Sequence, residues 1–111
     1  MQNTPPPAKG PSGETRTKDV IAARVLENRQ IVRDCYEIAR QDEPTLSGTL
    51  TIHFELDPQG KVSLAELNVE RSTLKDPSLV SCALNAFRSI RFPPSSRGYE
   101  SVGNYPFDFR P

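Results

Sequence analysis

Apolar residues recur at helical spacing in two parts of the chain. From Asp19 to Gln41 they repeat at steps of three, four and seven residues, and Glu43-Pro44 prevents the helix from continuing. Thr17 or Asp19 can cap its start. A second helix begins at Asp76-Pro77, whose residues suit the N-cap and the first helical position. The apolar stripes contain Ile21, Val25, Val32, Cys35 and Ala39 in the first helix and Leu79, Cys82, Ala83, Ala86, Phe87 and Ile90 in the second.

Alternation of apolar and polar residues predicts a β-hairpin between the helices. The first strand runs from Gly48 to Leu56, and Asp57-Pro58-Gln59-Gly60 has the composition of a type I turn. The return strand starts at Val62, and its apolar residues change phase near Leu64-Ala65. This slip of one position predicts a β-bulge in the return strand.

A last strand near the C-terminus is predicted to lie at an edge of the sheet. Proline lacks the N–H that a central strand must donate, so we expect position 106 to face outward from an edge. The element order is α-β-β-α-β, which predicts an α+β fold: a three-stranded antiparallel sheet with two helices packed on one face. The alternating residues of this strand are Tyr105, Phe107 and Phe109 on one side and Asn104, Pro106 and Asp108 on the other.

The first 17 residues differ from the rest of the chain in composition. Residues 1–17 contain four of the 11 prolines and two glycines, with no large apolar residue after Met1. Such a stretch buries too little apolar surface to offset its ordering entropy. We therefore expect a flexible Pro-rich linker over residues 1–17, tethering a domain over residues 18–111 to something upstream; a frayed terminus is the alternative.

Charge and hydropathy exclude several classes of function. Fourteen basic and 14 acidic residues give zero net charge, without the cationic excess that nucleic acids or anionic membranes attract. No apolar run approaches the roughly 20 residues needed to span a bilayer, and the start lacks the features of a signal peptide. We expect no nucleic-acid partner, and contact with a membrane only through an upstream segment.

Candidate catalytic chemistry is sparse. His53 is the only histidine and falls on the solvent side of the first strand, away from the helix stripe that contains Cys35. A Cys35/His53 nucleophile pair would have to meet across the sheet. Two cysteines and one histidine also fall short of the four ligands of a structural zinc site. We expect neither an enzyme nor a cofactor; a thiol enzyme would require a free, reactive Cys35.

The two cysteines fit either one disulfide or two buried thiols. Cys35 and Cys82 lie on the core stripes of the two helices, so their sulfurs can meet if both helices pack on the same face of the sheet. A bridge would stabilise a domain of this size by roughly 4 kcal/mol, which favours the disulfide. A disulfide in turn indicates an extracytoplasmic location.

The edges of the sheet are the remaining candidate for a binding site. An unpaired edge is either protected or used to dock another strand. Docking of this kind needs main-chain groups and a few side-chain pockets, which suits a sequence without a reactive constellation. Self-pairing of the same edge, in a structural homo-oligomerisation domain, is the alternative.

Several short motifs together resemble a known family. They are Val32-Arg33-Asp34-Cys35-Tyr36-Glu37, Leu46-Ser47-Gly48-Thr49-Leu50-Thr51-Ile52-His53-Phe54, Asp57-Pro58-Gln59-Gly60-Lys61-Val62, Ser72-Thr73-Leu74-Lys75-Asp76-Pro77, Cys82, Arg91-Phe92-Pro93 and Tyr105-Pro106-Phe107-Asp108-Phe109. On these motifs, residues 21–109 resemble the C-terminal domain of TonB-type energy transducers, and more closely the branch found in gliding-motility proteins of the AgmX/PglI kind.

This resemblance implies a periplasmic protein-binding domain, tethered to the inner membrane and part of a trans-envelope complex that transmits force or energy. Its partner would be a segment of an outer-membrane or periplasmic protein, such as a TonB-box-like peptide, added as a strand to the last β-strand. Carried over by position, the bridge would join Cys35 to Cys82. The docking residues would be Val102, Gly103, Asn104, Tyr105, Pro106, Phe107, Asp108 and Phe109.

Overall fold

One three-stranded antiparallel sheet and the helices packed on it form residues 13–111, the part of the chain that the computed structural model describes. The strand order in the sheet is β2-β1-β3, so β1 is central. The expected α+β fold with its antiparallel sheet is confirmed. The elements are α1 (Lys18–Glu27), α2 (Arg29–Asp42), β1 (Gly48–Leu56), β2 (Val62–Leu67), a 3₁₀ turn (Val69–Arg71), α3 (Pro77–Arg88) and β3 (Ser101–Phe109).

The first predicted helix is two helices, so the expectation of one continuous helix was wrong. Asn28 separates α1 from α2 with φ −108° and ψ 12°. Its side-chain amide donates to the Arg24 carbonyl at 2.8 Å. Asparagine side chains compete for backbone groups in this way and favour a break in the helix. After the break, α2 buries Val32, Cys35 and Tyr36.

The predicted helix starts are confirmed. Of the two candidate caps of α1, Thr17 is the one used: its hydroxyl accepts a hydrogen bond from the Val20 amide at 3.4 Å. At the start of α3, the Asp76 carboxylate accepts from the Leu79 amide at 3.0 Å, and Pro77 occupies the first helical position. Both side chains satisfy an amide that has no acceptor within the helix.

The turn between β1 and β2 forms where the sequence predicts it. The Gly60 amide donates to the Asp57 carbonyl at 3.1 Å, the bond that closes a β-turn. Gly60 has φ +96°, and a Cβ atom there would lie 1.9 Å from the Phe92 carbonyl oxygen. Only glycine fits this position, because both the backbone angle and the available space exclude a side chain.

A single hydrophobic core lies between the sheet and the helices. The aromatic ring of Tyr36 from α2 stacks on Phe109 from β3 with 4.7 Å between the ring centroids. Its hydroxyl donates to the Leu46 carbonyl. This pair therefore attaches the C-terminal end of β3 to α2. The core residues contributed by the sheet are Leu50, Ile52, Phe54, Leu56, Val62, Ala65, Phe107 and Phe109.

The ordered domain extends further towards the N-terminus than residue 18, where the sequence places its start. Residues 1–12 of the predicted linker lie outside the described residues. Glu14 and Arg16, however, are only 8% and 3% exposed and pack against the domain. At least residues 13–17 therefore belong to the domain.

Candidate functional site: the free edge of the third strand

β3 lies at an edge of the sheet, as its proline predicts. Every residue from Ser101 to Phe109 is paired with a residue of β1, in antiparallel register from Leu56 to Gly48. No other described strand pairs with its outer side. The whole length of β3 is therefore a free edge.

Hydrogen bonds of β1 reveal which backbone groups of β3 point outward. The Thr51 carbonyl accepts from the Asn68 amide at 2.8 Å, and the Thr51 amide donates to the Ser72 hydroxyl at 2.9 Å. Thr51 thus directs both backbone groups away from β3. In an antiparallel ladder, its partner Pro106 must then direct its own backbone towards the free edge. The expectation that position 106 faces outward is confirmed, and no ladder bond is lost there.

The same alternation shows in which direction the backbone groups of the other β3 residues point. Residues 102, 104, 106 and 108 direct their backbone groups outward, because the intervening residues bond to β1. The free edge therefore offers N–H donors at Val102, Asn104 and Asp108, and a carbonyl without a donor at Pro106. The side chain of Val102 is 67% exposed.

Two clefts lie between this edge and the helices beside it. The first has a volume of about 460 Å³ and the second about 210 Å³, and Tyr105 lines both. Gly103 and Phe54 both line the first cleft, and the Phe54 ring packs closely on Gly103, where a Cβ atom would lie 3.0 Å from it. The first cleft is bounded by Lys18, Ile21 and Ala22 of α1, and the second by Leu26, Arg29 and Arg33.

The opposite edge of the sheet is protected. β2 is short, and Ser63 is an extra residue in it, because Glu55 pairs with Leu64 while Leu56 pairs with Val62. This is the predicted bulge, displaced slightly towards the N-terminus. The Arg88 guanidinium also donates to the outward carbonyl of Ala65 at 2.9 Å. Bulges and charged side chains of this kind block strand addition, so β3 is the edge available for docking.

The predicted disulfide between α2 and α3 is present. The Cα atoms of Cys35 and Cys82 are 5.7 Å apart and their sulfurs are bonded. Cys35 is therefore not a free thiol, and no Cys35/His53 pair forms. The imidazole of His53 instead contacts Asn104 on the exposed face of the sheet, with 3.3 Å between Nδ1 and Oδ1.

Neither a metal cluster nor a membrane-spanning helix is found in residues 13–111. No group of three or more His, Cys, Asp or Glu side chains in this range could hold a metal ion. No helix in the same range is both long and apolar enough to cross a bilayer.

The segment before α1 is bound to the domain by an arginine that the sequence analysis missed. Arg16 Nη1 donates to the carbonyls of Asp57 and Pro93 at 2.9 and 3.1 Å. Its Nη2 donates to the Tyr99 carbonyl at 2.8 Å and to the Ser101 hydroxyl at 3.1 Å. Arg16 therefore joins the hairpin turn, the loop after α3 and the first residue of β3.

Glu14 binds the same loop. Its carboxylate accepts from the Ser95 hydroxyl, and from the Ser96 amide and hydroxyl at 2.9 Å each. The Arg16 amide also donates to it at 2.9 Å. Burial raises the pKa of Glu14. The four hydrogen bonds lower it by a larger amount, so the pKa falls from an ordinary value of 4.5 to about 2. We call residues 13–17, held by Glu14 and Arg16, the N-terminal strap.

The pKa of Glu14 predicts a specific acid sensitivity. Because the folded-state value lies below the ordinary one, ionised Glu14 stabilises the folded protein above about pH 4.5, and this contribution disappears as the pH falls towards 2. We expect the denaturant midpoint of the wild-type protein to fall more steeply over this range than that of Glu14→Gln. Parallel curves for the two proteins would contradict the assignment, since every other carboxylate is common to both.

Comparison of the chain with protein families, with curated proteins and with solved structures gives no match.

Proposed function

We propose that the domain is a TonB C-terminal-like binding module that captures an extended segment of another protein along β3. The observation that carries this proposal is the free edge itself. β3 is paired with β1 along its whole length on one side, and on the other side it presents three outward N–H donors. Two clefts beside this edge can accept side chains. Strand addition requires these features. The other edge is blocked, so docking is confined to Val102–Phe109.

The cellular setting belongs to the same proposal. The domain acts in the periplasm, tethered to the inner membrane, and its partner is a segment of an outer-membrane or periplasmic protein. The disulfide supports an oxidising compartment. The gliding-motility branch, which the motifs resemble most, supports a complex that transmits force or energy across the envelope.

Pro106 favours a partner over self-pairing. When two β3 edges pair antiparallel, each copy places a proline against the other strand, so two bonds of the new ladder are missing. When a peptide without proline adds to β3, only one hydrogen bond of the new ladder is missing. We therefore expect sedimentation to show a monomer at all concentrations. Concentration-dependent dimerisation would instead favour the homo-oligomerisation domain.

A proline substitution on the edge tests strand addition. Asn104→Pro removes an outward backbone donor without removing a backbone hydrogen bond to β1, and we expect it to weaken the binding of an extended peptide about tenfold. We suggest, as an edge probe, a peptide of alternating Thr and Val with blocked ends and the length of β3.

The matched control is Ser78→Pro, which introduces proline at an exposed position in the first turn of α3, where it is tolerated. This variant should bind the edge probe as the wild type does. Equal binding by Asn104→Pro and the wild type would contradict strand addition on β3.

A further inference from the structure

We propose that the N-terminal strap couples the chain upstream of the domain to the docking edge: when the strap is bound, the start of β3 is ordered for docking, and when it detaches, docking weakens. The docking half of this inference rests on the proposed function. The coupling half concerns only contacts within the chain and can be tested without a partner.

The strap contacts β3 directly beside the docking residues. Arg16 holds the Tyr99 carbonyl and the Ser101 hydroxyl, and Val102 is the first residue whose backbone faces the free edge. Ser101 itself is paired with Leu56, the last residue of β1. Contacts of the strap therefore fix the position at which β3 enters the sheet.

The strap also orders the loop that leads into β3. Ser95 and Ser96 bind Glu14, and the Thr15 amide donates to the Ser96 hydroxyl at 2.9 Å. Beyond the strap, this loop is held to the hairpin turn by the Ser95 amide, which donates to the Pro58 carbonyl at 2.8 Å. Loss of the strap would thus remove the hydrogen bonds that Glu14 and Thr15 make with Ser95 and Ser96.

The strap can detach without unfolding the core. Its residues, Gly-Glu-Thr-Arg-Thr, include no apolar side chain, and hydrogen bonds hold it to the domain. The core residues pack with one another independently of it. Elements held by few apolar contacts open locally at lower free energy than the core. Within residues 13–111 the buried Arg16 Nε atom has no hydrogen-bond partner, which further weakens the bound state.

The position of the strap gives this opening a function. A force applied to the chain before residue 13 acts on the strap before it acts on α1, which begins at Lys18. Through Arg16 the load acts on Tyr99 and Ser101, at the start of the docking strand. A module that transmits force would then hold its partner while the strap is bound and release the partner when the strap detaches.

Relaxation measurements by NMR on the full chain test the coupling without any ligand. In Arg16→Met we expect the amides of residues 99–103 to become mobile while those of β1 stay rigid. The matched control is Arg97→Met, which removes an exposed arginine from the same loop and should leave residues 99–103 unchanged. If residues 99–103 stay as rigid in Arg16→Met as in the wild type, the coupling is refuted.

A milder variant keeps the test decisive if Arg16→Met does not fold. Ser101→Ala removes one of the four hydrogen bonds made by the Arg16 side chain. We expect it to loosen residues 101–103 in the same direction with a smaller amplitude. Unchanged mobility in Ser101→Ala would also count against the coupling.

The edge probe tests the consequence for docking. We expect Arg16→Met to bind it about tenfold more weakly than the wild type, within the range typical of coupled sites. By reciprocity, the probe should slow hydrogen exchange at the Thr15 amide of the wild type by the same factor. Equal affinities of the two proteins would overturn the coupling. A probe that shifts no β3 amide in the wild type would overturn strand addition, while the relaxation result would still decide the coupling.

Discussion

Removal of the Cys35–Cys82 disulfide is expected to lower the free energy of unfolding by about 4 kcal/mol. The bridge spans 47 residues and joins α2 to α3, and closing a loop of this length removes much of the entropy of the unfolded chain. Small domains are commonly stable by only about 5–15 kcal/mol, so the reduced protein should lose a large fraction of its stability. Denaturant unfolding with and without reductant measures the difference.

The double variant Cys35→Ala/Cys82→Ala provides the control. It should unfold at a midpoint close to that of the reduced wild type, and reductant should not change it. A thiol count on the unreduced, denatured wild type should find none. A wild-type midpoint that does not respond to reductant, or two free thiols in that count, would contradict the bridge and remove one support for the periplasmic proposal.

Substitution of Arg16 by methionine is expected to destabilise the protein by about 3 kcal/mol. The variant loses four charge-assisted hydrogen bonds and leaves carbonyls of Pro93 and Tyr99 without this donor. Burial lowers the pKa of Arg16, and the negative charges of Glu14 and Asp57 oppose this effect.

Arg97→Met is again the matched comparison, because Arg97 is exposed. Exposed substitutions of this kind change stability by less than about 0.5 kcal/mol. Chemical denaturation of both variants at neutral pH measures how much more stability Arg16→Met loses than Arg97→Met. If Arg16→Met were as stable as Arg97→Met, the strap would contribute nothing to the fold, and its role at the start of β3 would be lost with it.

The sheet and its free edge at β3 were predictable because local chemistry determines them. Strict alternation defines β1, glycine and proline define the turn after it, and a proline without a donor excludes β3 from the centre of the sheet. The two cysteines could be paired because each lies on an apolar stripe at helical spacing. In each case the signal lies within a few residues of the feature it predicts.

The strap and the break at Asn28 were not predictable for the opposite reason. Glu14 and Arg16 are polar residues in a stretch rich in proline and glycine, and their hydrogen-bond partners in the rest of the domain lie some 41 to 85 residues away along the chain. No periodicity identifies such contacts. At Asn28, the apolar spacing continues through the break, where the Asn28 side chain hydrogen-bonds locally to the Arg24 carbonyl.

The most direct test of strand addition follows the amides of β3 as the edge probe is titrated into the protein. We expect the amides of Val102, Asn104 and Asp108 to shift first and to become protected from exchange. The inward amides of Gly103 and Phe107, already bonded to β1, should gain little protection. Shifts confined to the outer faces of α2 and α3, with no change along β3, would contradict strand addition on β3.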